Sequence, residues 1–155
     1  ALSQLGSTAV REARVVSANL AGERICMSPT LDTSITHLGG LAIASVGITS
    51  RMAKEFGFEP MSVKYRGSTL PEYYPGGSDI TIKLVFTGEK RILGGQIIGK
   101  EGVLARIDTL STLIQCKGGL DELYNLETAY TPPISPTTDP LSVAAALALK
   151  KCKRG

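Results

Sequence analysis

The sequence of 155 residues contains few of the side chains that form catalytic or metal sites. It has no Trp and one His, and its three cysteines, Cys26, Cys116 and Cys152, lack C-x-x-C spacing. An odd number of isolated cysteines indicates neither a disulfide framework nor a zinc site, and it fits a reducing cytoplasm. Because His37 has no second ligand at a suitable spacing, we expect neither a metal site nor a Ser-His-Asp triad.

Two longer signals are absent as well. No apolar run reaches the roughly 18 to 20 residues of a membrane span, so we expect no membrane interaction. No G-x-G-x-x-G or G-x-x-x-x-G-K-[ST] phosphate loop occurs, and the glycines of GGQIIG (94–99) fall within an expected strand. The net charge of +3 is mild and comes partly from basic residues between 150 and 154, which we expect to be solvated rather than to contact nucleic acid.

The composition, 43% hydrophobic and 20% charged, is typical of one globular domain. Apolar residues alternate in its organising stretch, as in a strand with one buried face: Ile80, Ile82, Leu84 and Phe86. A turn at 88–90 leads to a second strand over 92–98, where Gly94 and Gly95 mark a bulge or a close backbone approach.

After that hairpin, apolar residues recur at the three- and four-residue spacing of a long amphipathic helix: Val103, Leu104, Ile107, Leu110, Leu113 and Ile114. Arg106 and Asp108 fall outside this apolar stripe. Lys117 and a glycine in the position after the helix are expected to end it, and Cys116 is expected to be a small buried hydrophobe.

Other patterns predict the remaining elements. A helix over 7–21 would have Ser7 as its N-cap, and a last helix would begin with Asp139 as N-cap and Pro140 at its first position. Between them we expect a short strand within 24–40, a strand over 41–46, a helix from 49 to 56 and a strand over 61–65. The expected architecture is an α+β fold, an antiparallel sheet with helices packed on one face.

Two segments combine tyrosines with turn-forming residues. The loop 67–79 carries Tyr73 and Tyr74, and Tyr130 precedes four prolines within residues 132–140. Because proline fixes φ and lacks an N–H donor, we expect the second segment to be stiff, extended and polyproline-like. From residue spacing alone the tyrosines are either packing or site residues, and the chain is best interpreted as a binding or assembly domain.

Several stretches together resemble the C-terminal dimerisation domain of the FAD-dependent pyridine nucleotide-disulfide oxidoreductases. They are LAIASVGITSRMAKEFGFE, YYPGG before IKLVF, RILGGQIIGKEGVLARIDTLSTLIQ and LYNLETAYTPPISPTTDPL, which cover about residues 25 to 152. YYPGG and AYTPPISP look closest to the branch of coenzyme A-disulfide reductases, polysulfide reductases and NADH oxidases. STAVREARVVSANLAG resembles the last helix of the family's FAD domain, so residues 1–24 are assigned to that helix and residues 25–155 to the dimerisation domain.

The resemblance implies a homodimer in which each subunit lends residues to its partner's flavin site. It implies an active-site role for Tyr130 and for the tyrosine of YYPG, which we place at Tyr73 rather than Tyr74. The two phenols would approach the partner's redox cysteine and donate hydrogen bonds to a departing thiolate. An ordinary phenol pKa of about 10 keeps them protonated at pH 7.

The sequence departs from the family pattern in what it omits. It has no flavin fingerprint, redox-cysteine segment or NAD-binding segment, and it does not begin with Met. We therefore expect a piece of a longer or processed protein, inactive by itself, with FAD and NAD(P)H bound by other domains of the parent oxidoreductase. The alternatives are a partner chain that supplies the flavin domains, and a stand-alone small-molecule or nucleic-acid binding module without redox activity.

Overall fold

The computed structural model describes Ser3 and residues 5–154, and this part of the chain forms five helices and five strands. The helices are α1 (Gly6–Leu20), α2 (Ser50–Glu55), α3 (Val103–Gln115), α4 (Leu120–Tyr124) and α5 (Pro140–Cys152). The strands are β1 (Ser34–Leu38), β2 (Leu41–Gly47), β3 (Met61–Ser68), β4 (Asp79–Phe86) and β5 (Ile92–Gly99). The predicted N-terminal unit (1–24) and dimerisation domain (25–155) each include positions outside the described residues, namely 1, 2, 4 and 155. None of the described helices is both long enough and apolar enough to span a lipid bilayer.

The five strands form one antiparallel sheet in the order β1-β2-β5-β4-β3. β1 and β2 are joined by Gly39 and Gly40, which both adopt the positive φ angles that a tight hairpin turn requires. β5 lies between β2 and β4, so the second hairpin, β4-β5, adds its return strand to the middle of the sheet. The predicted α+β architecture is confirmed.

The main core lies between one face of the sheet and two helices. The predicted alternation in β4 is confirmed, because every second side chain is fully buried on this face: Ile80, Ile82, Leu84 and Phe86. α3 packs across β2 and β5, while α5 packs across β3 and β4. Burying each large apolar side chain stabilises the fold by roughly 1.5–3 kcal/mol relative to exposure. The sheet and these two helices therefore carry most of the apolar stabilisation.

A smaller cluster lies on the opposite face of the sheet. Val85 lies between Leu84 and Phe86 in β4, so its side chain points the other way, where it packs with Ala53 of α2 and with Leu93. The Thr49 hydroxyl caps α2 by accepting a hydrogen bond of 3.2 Å from the Met52 N–H, as predicted. In addition to the helices on the main face, α2 thus covers one end of the second face.

The Gly94-Gly95 segment shows both a β-bulge and a close approach of another backbone, the two features that the sequence left open. The register shifts at Val85 and Phe86, which pair with Gly94 and Ile92, so Leu93 is the extra residue of a β-bulge. A Cβ atom at Gly94 would also lie 2.6 Å from the backbone oxygens of Val46 and Ile48. No larger residue fits at Gly94 without moving the backbone.

Two helix-end predictions were wrong. The N-cap position of α1 is Leu5, two residues before the predicted Ser7, and no side chain caps the helix. At the end of α3 the left-handed residue is Lys117 with φ of 59°, not a glycine. The N–H groups of Lys117 and Gly118 donate to the carbonyls of Ile114 and Leu113, which is the Schellman pattern.

The expected burial pattern of α3 was also partly wrong. Leu104, assigned to the apolar stripe, is exposed, and so is Cys116, which we expected to be buried. Arg106, outside the stripe, is buried. The 3.6-residue period identifies one apolar face of a helix, but it does not show which polar residue has a buried partner elsewhere in the chain.

The proline-rich segment does not run extended throughout. It turns at residues 131–135, where the N–H groups of Ile134 and Ser135 donate to the Thr131 carbonyl and Thr131 forms a bridge with Ser135. Proline tolerates turn positions because its fixed φ suits them. The expectation of a continuous polyproline-like stretch was therefore wrong.

Candidate functional site

The two tyrosines predicted as site residues meet at the surface. The Tyr73 and Tyr130 hydroxyl oxygens lie 3.1 Å apart, although the residues are 57 positions apart in the chain. Their side chains are exposed, Tyr73 to 72% and Tyr130 to 49%. This hydroxyl contact joins Tyr130 to Tyr73, the tyrosine that we preferred over Tyr74. The pair is thus open to a partner.

The loop that carries Tyr73 is held at its base. Thr69 and Ser78, which flank it, exchange three hydrogen bonds: Thr69 N–H to the Ser78 carbonyl (2.9 Å), Ser78 N–H to Thr69 Oγ1 (3.0 Å) and a hydroxyl contact of 3.3 Å. Within the loop, the Tyr74 N–H donates to the Pro71 carbonyl, which closes a turn around Tyr73. These bonds restrict where the Tyr73 ring can lie.

Tyr130 is held by Ser135. The Ser135 hydroxyl donates to the Ala129 carbonyl at 2.8 Å and accepts from the Thr131 N–H at 3.2 Å, so it binds the backbone on both sides of Tyr130. The prolines around the turn limit the conformations available to this segment. Tyr130 is therefore presented by an ordered segment that has no regular secondary structure.

The tyrosine contact makes the two phenols unequal. The hydrogen bond with Tyr73 stabilises the Tyr130 phenolate and lowers the pKa of Tyr130. The same bond raises the pKa of Tyr73. Tyr130 is therefore the phenol that ionises more readily.

Arg106 is a residue that sequence reasoning missed. It forms a buried ion pair with Asp139, in which Nη2 lies 2.8 Å from Oδ2 and Nε donates to Oδ1 at 3.2 Å. Asp139 also caps α5, as predicted, by accepting from the Leu141 N–H at 2.8 Å. No local pattern links Arg106 to a residue 33 positions away, so only the folded structure shows the pair.

The segment GGQIIG (94–99) does not form a phosphate-binding loop. GGQIIG (94–99) lies inside β5, and the space where side chains would stand at Gly94 and Gly95 is filled by backbone oxygens and by Leu110. It therefore forms no cradle for a pyrophosphate. Within residue 3 and residues 5–154, no three His, Cys, Asp or Glu side chains cluster as metal ligands would.

A comparison with protein families matches residues 33–140 to the dimerisation domain of pyridine nucleotide-disulphide oxidoreductases. The chain is 38% identical over 150 residues to an NADH oxidase of Methanocaldococcus jannaschii, which covers 97% of this chain and 34% of that protein. It is 36% identical over 132 residues to a CoA-dependent NAD(P)H sulfur oxidoreductase of Pyrococcus furiosus, which covers 84% of this chain and 30% of that protein. The chain thus spans about a third of the length of these curated relatives.

The fold is similar to that of solved reductases. A NAD-dependent persulfide reductase from A. fulgidus superposes with a TM-score of 0.94 at 34% identity, over 99% of this chain and 29% of that one. None of these matches points to a stand-alone nucleic-acid or small-molecule binding module, the alternative that the sequence left open.

Proposed function

Because the chain belongs to the pyridine nucleotide-disulphide oxidoreductase family and comprises its dimerisation domain, we propose that it completes the active site of a partner subunit in a larger cytoplasmic oxidoreductase. The parent would use FAD and NAD(P)H, held by other domains, and those cofactors would supply the electrons. Its substrate would be oxygen, a polysulfide or coenzyme A disulfide, in keeping with relatives that are named NADH oxidase, NAD(P)H coenzyme A polysulfide/persulfide reductase and coenzyme A disulfide reductase. In this proposal residues 1–24 are the last helix of the FAD domain and residues 25–155 are the dimerisation domain.

The contact between Tyr73 and Tyr130 carries this proposal. Two phenols hydrogen-bonded at 3.1 Å on an exposed surface, each on a separately anchored segment, are arranged to act on a group outside this chain. A phenol is an O–H donor at neutral pH, so the pair can stabilise a thiolate that leaves a disulfide in the partner's site. The proton would come from Tyr130, whose phenolate Tyr73 stabilises.

α1 supports the assignment of residues 1–24. Of its fifteen residues only Thr8 is buried, whereas Val10, Val16 and Leu20 are exposed. An amphipathic helix normally buries its apolar face, so the apolar surface of α1 is suited to packing against a further domain. We place the flavin domain there.

The homodimer is tested by sedimentation equilibrium of this chain at tens of micromolar. We expect a dimer, because the resemblance to the family's dimerisation domain implies a homodimer. A monomer at these concentrations would contradict the homodimer built by this domain.

The tyrosine role is tested in the longer protein that carries this domain. Tyr130→Phe removes the proton donor and should slow disulfide or polysulfide reduction by about a hundredfold, the usual scale for loss of a general acid, while the dimer persists. Tyr73→Phe should have a smaller effect, because Tyr73 acts through Tyr130. Tyr124→Phe, at the exposed end of α4, is the matched control and should keep the full rate. Equal rates for Tyr130→Phe and the control would exclude Tyr130 from the site.

A further inference from the structure

The ion pair between Arg106 and Asp139 joins the end of the segment that carries Tyr130 to the first turn of α3. Asp139 is the last residue before α5 and closes the segment that carries Tyr130. Arg106 stands in the first turn of α3, and its Nη1 donates to the Gly102 carbonyl at 3.0 Å. A Cβ atom at Gly102 would collide with Nη1 of Arg106 and would also contact the methyl group of Thr69.

Thr69 connects this junction to the other tyrosine. It is buried and forms the anchored base of the loop that carries Tyr73. One guanidinium therefore binds the end of the Tyr130 segment and the carbonyl of Gly102, a residue that faces Thr69 at the base of the Tyr73 loop.

Stability alone does not explain a buried ion pair at this place. The two side chains are only 11% and 12% exposed. The cost of removing such charges from water can exceed their attraction, and an apolar replacement of both is often neutral or stabilising. What the guanidinium adds is a rigid two-pronged geometry that fixes the direction of the carboxylate.

We infer that Arg106 is a positioning residue that sets the contact between the Tyr73 and Tyr130 hydroxyls by clamping Asp139 to the start of α3. Its hydrogen bonds go to Gly102 and Asp139 and not to either phenol. Its consequence for catalysis rests on the proposed function of the tyrosine pair, but its effect on the contact itself does not.

The experiment uses this chain with ¹³C-labelled tyrosine rings, observed by NMR. In the unaltered protein we expect a nuclear Overhauser effect between the rings of Tyr73 and Tyr130 and two separate phenol titrations, with Tyr130 ionising first. The double variant Arg106→Met/Asp139→Asn removes both charges together and keeps an amide oxygen to cap α5. We expect it to fold, to lose the ring contact and to lose the separation of the two titrations.

Two further variants serve as comparisons. Arg106→Lys keeps the charge but not the two-pronged geometry, so it should retain only part of the separation between the two phenol titrations. It remains informative if the double variant does not fold. Asp121→Asn breaks the exposed ion pair with Lys90, which measures 3.0 Å, at the other end of β4 and β5. It should leave both tyrosine signals unchanged.

The outcomes separate this inference from the proposed function. An unchanged ring contact and unchanged titrations in a folded double variant, or in Arg106→Lys if the double variant does not fold, would overturn the positioning role. In the longer protein, loss of the contact should lower kcat by roughly ten- to a hundredfold with the dimer intact, as expected for misplaced catalytic groups. If the contact is lost but Tyr130→Phe itself leaves the rate unchanged, Arg106 still positions the pair and only the proposed function fails.

Discussion

The first and last helices of the chain are similar in composition but not in environment. α1 and α5 are both rich in alanine and aliphatic residues. α5 buries Leu141 and three alanines, Ala144, Ala145 and Ala148, against the sheet. Leu20 of α1 is 84% exposed, and Val10 and Val16 are exposed as well.

The two helices differ in whether the chain itself buries their apolar faces. Helices in proteins owe most of their stability to packing of the apolar face, and α5 has that packing within this chain. The described residues provide no comparable partner for α1. The sheet with α3 and α5 therefore forms a packed core, whereas the apolar residues Val10, Val16 and Leu20 of α1 are exposed in the described part of the chain.

The largest expected effect comes from the same substitution at the two helices. Leu141→Ala opens a cavity beside Ala144 and Ala145, so it should lower the free energy of unfolding by about 2–5 kcal/mol. Leu20→Ala should change it by less than about 0.5 kcal/mol, because an exposed side chain has little contact to lose. Urea denaturation of both variants measures the two changes. Similar losses would show that α1 is packed as firmly as α5.

A glycine pair sharpens the comparison. Gly94→Ala in β5 would place a methyl group 2.6 Å from two backbone oxygens, so it should cost about 1–3 kcal/mol. Gly6→Ala at the start of α1 has nothing within 4 Å and no positive φ, and should stabilise the protein by about 0.4–1 kcal/mol. Thermal denaturation should thus give shifts of opposite sign. A neutral Gly94→Ala would mean that β5 can move away from β2.

The smallest expected effect concerns α4, the short helix that packs against α5. The Gly119 N–H donates to Oε2 of Glu122 at 2.8 Å, and this bond holds the pKa of Glu122 below its ordinary value of 4.5. Because its pKa is lower in the folded state, ionised Glu122 stabilises the protein when the pH is above the ordinary pKa. This stabilisation is lost as the pH falls through the folded-state pKa. Glu122→Gln should therefore be slightly less stable than the unaltered protein at pH 7 and equal to it at low pH. Glu127→Gln, on an exposed connection, is the control, and a Glu122 effect independent of pH would contradict this account.

Local patterns predicted most of the elements. The alternation in β4, the Thr49 cap of α2 and the Asp139 cap of α5 were all confirmed, because each depends on residues within a few positions of one another. Predictions that needed a distant partner did less well. Cys116 is exposed, and the turn held by Ser135 was not foreseen.

The candidate site shows the same division. Tyr73 and Tyr130 were proposed from a resemblance to a family, and their residue types and spacing alone did not separate a site from packing. Their hydroxyl contact and the ion pair of Arg106 with Asp139 bridge 57 and 33 positions of sequence. No periodicity reports such pairs.

The amino-acid sequence by itself determined most of the strands and helices and the buried alternation of β4, since these follow from hydrogen bonding and periodicity over a few residues. Only the tertiary structure decided which polar side chains are buried and which phenols meet, because those outcomes depend on how distant segments are brought together by the sheet. It also decided that no other described element covers the apolar residues of α1, since burial of an apolar face requires a second surface and not only a suitable pattern.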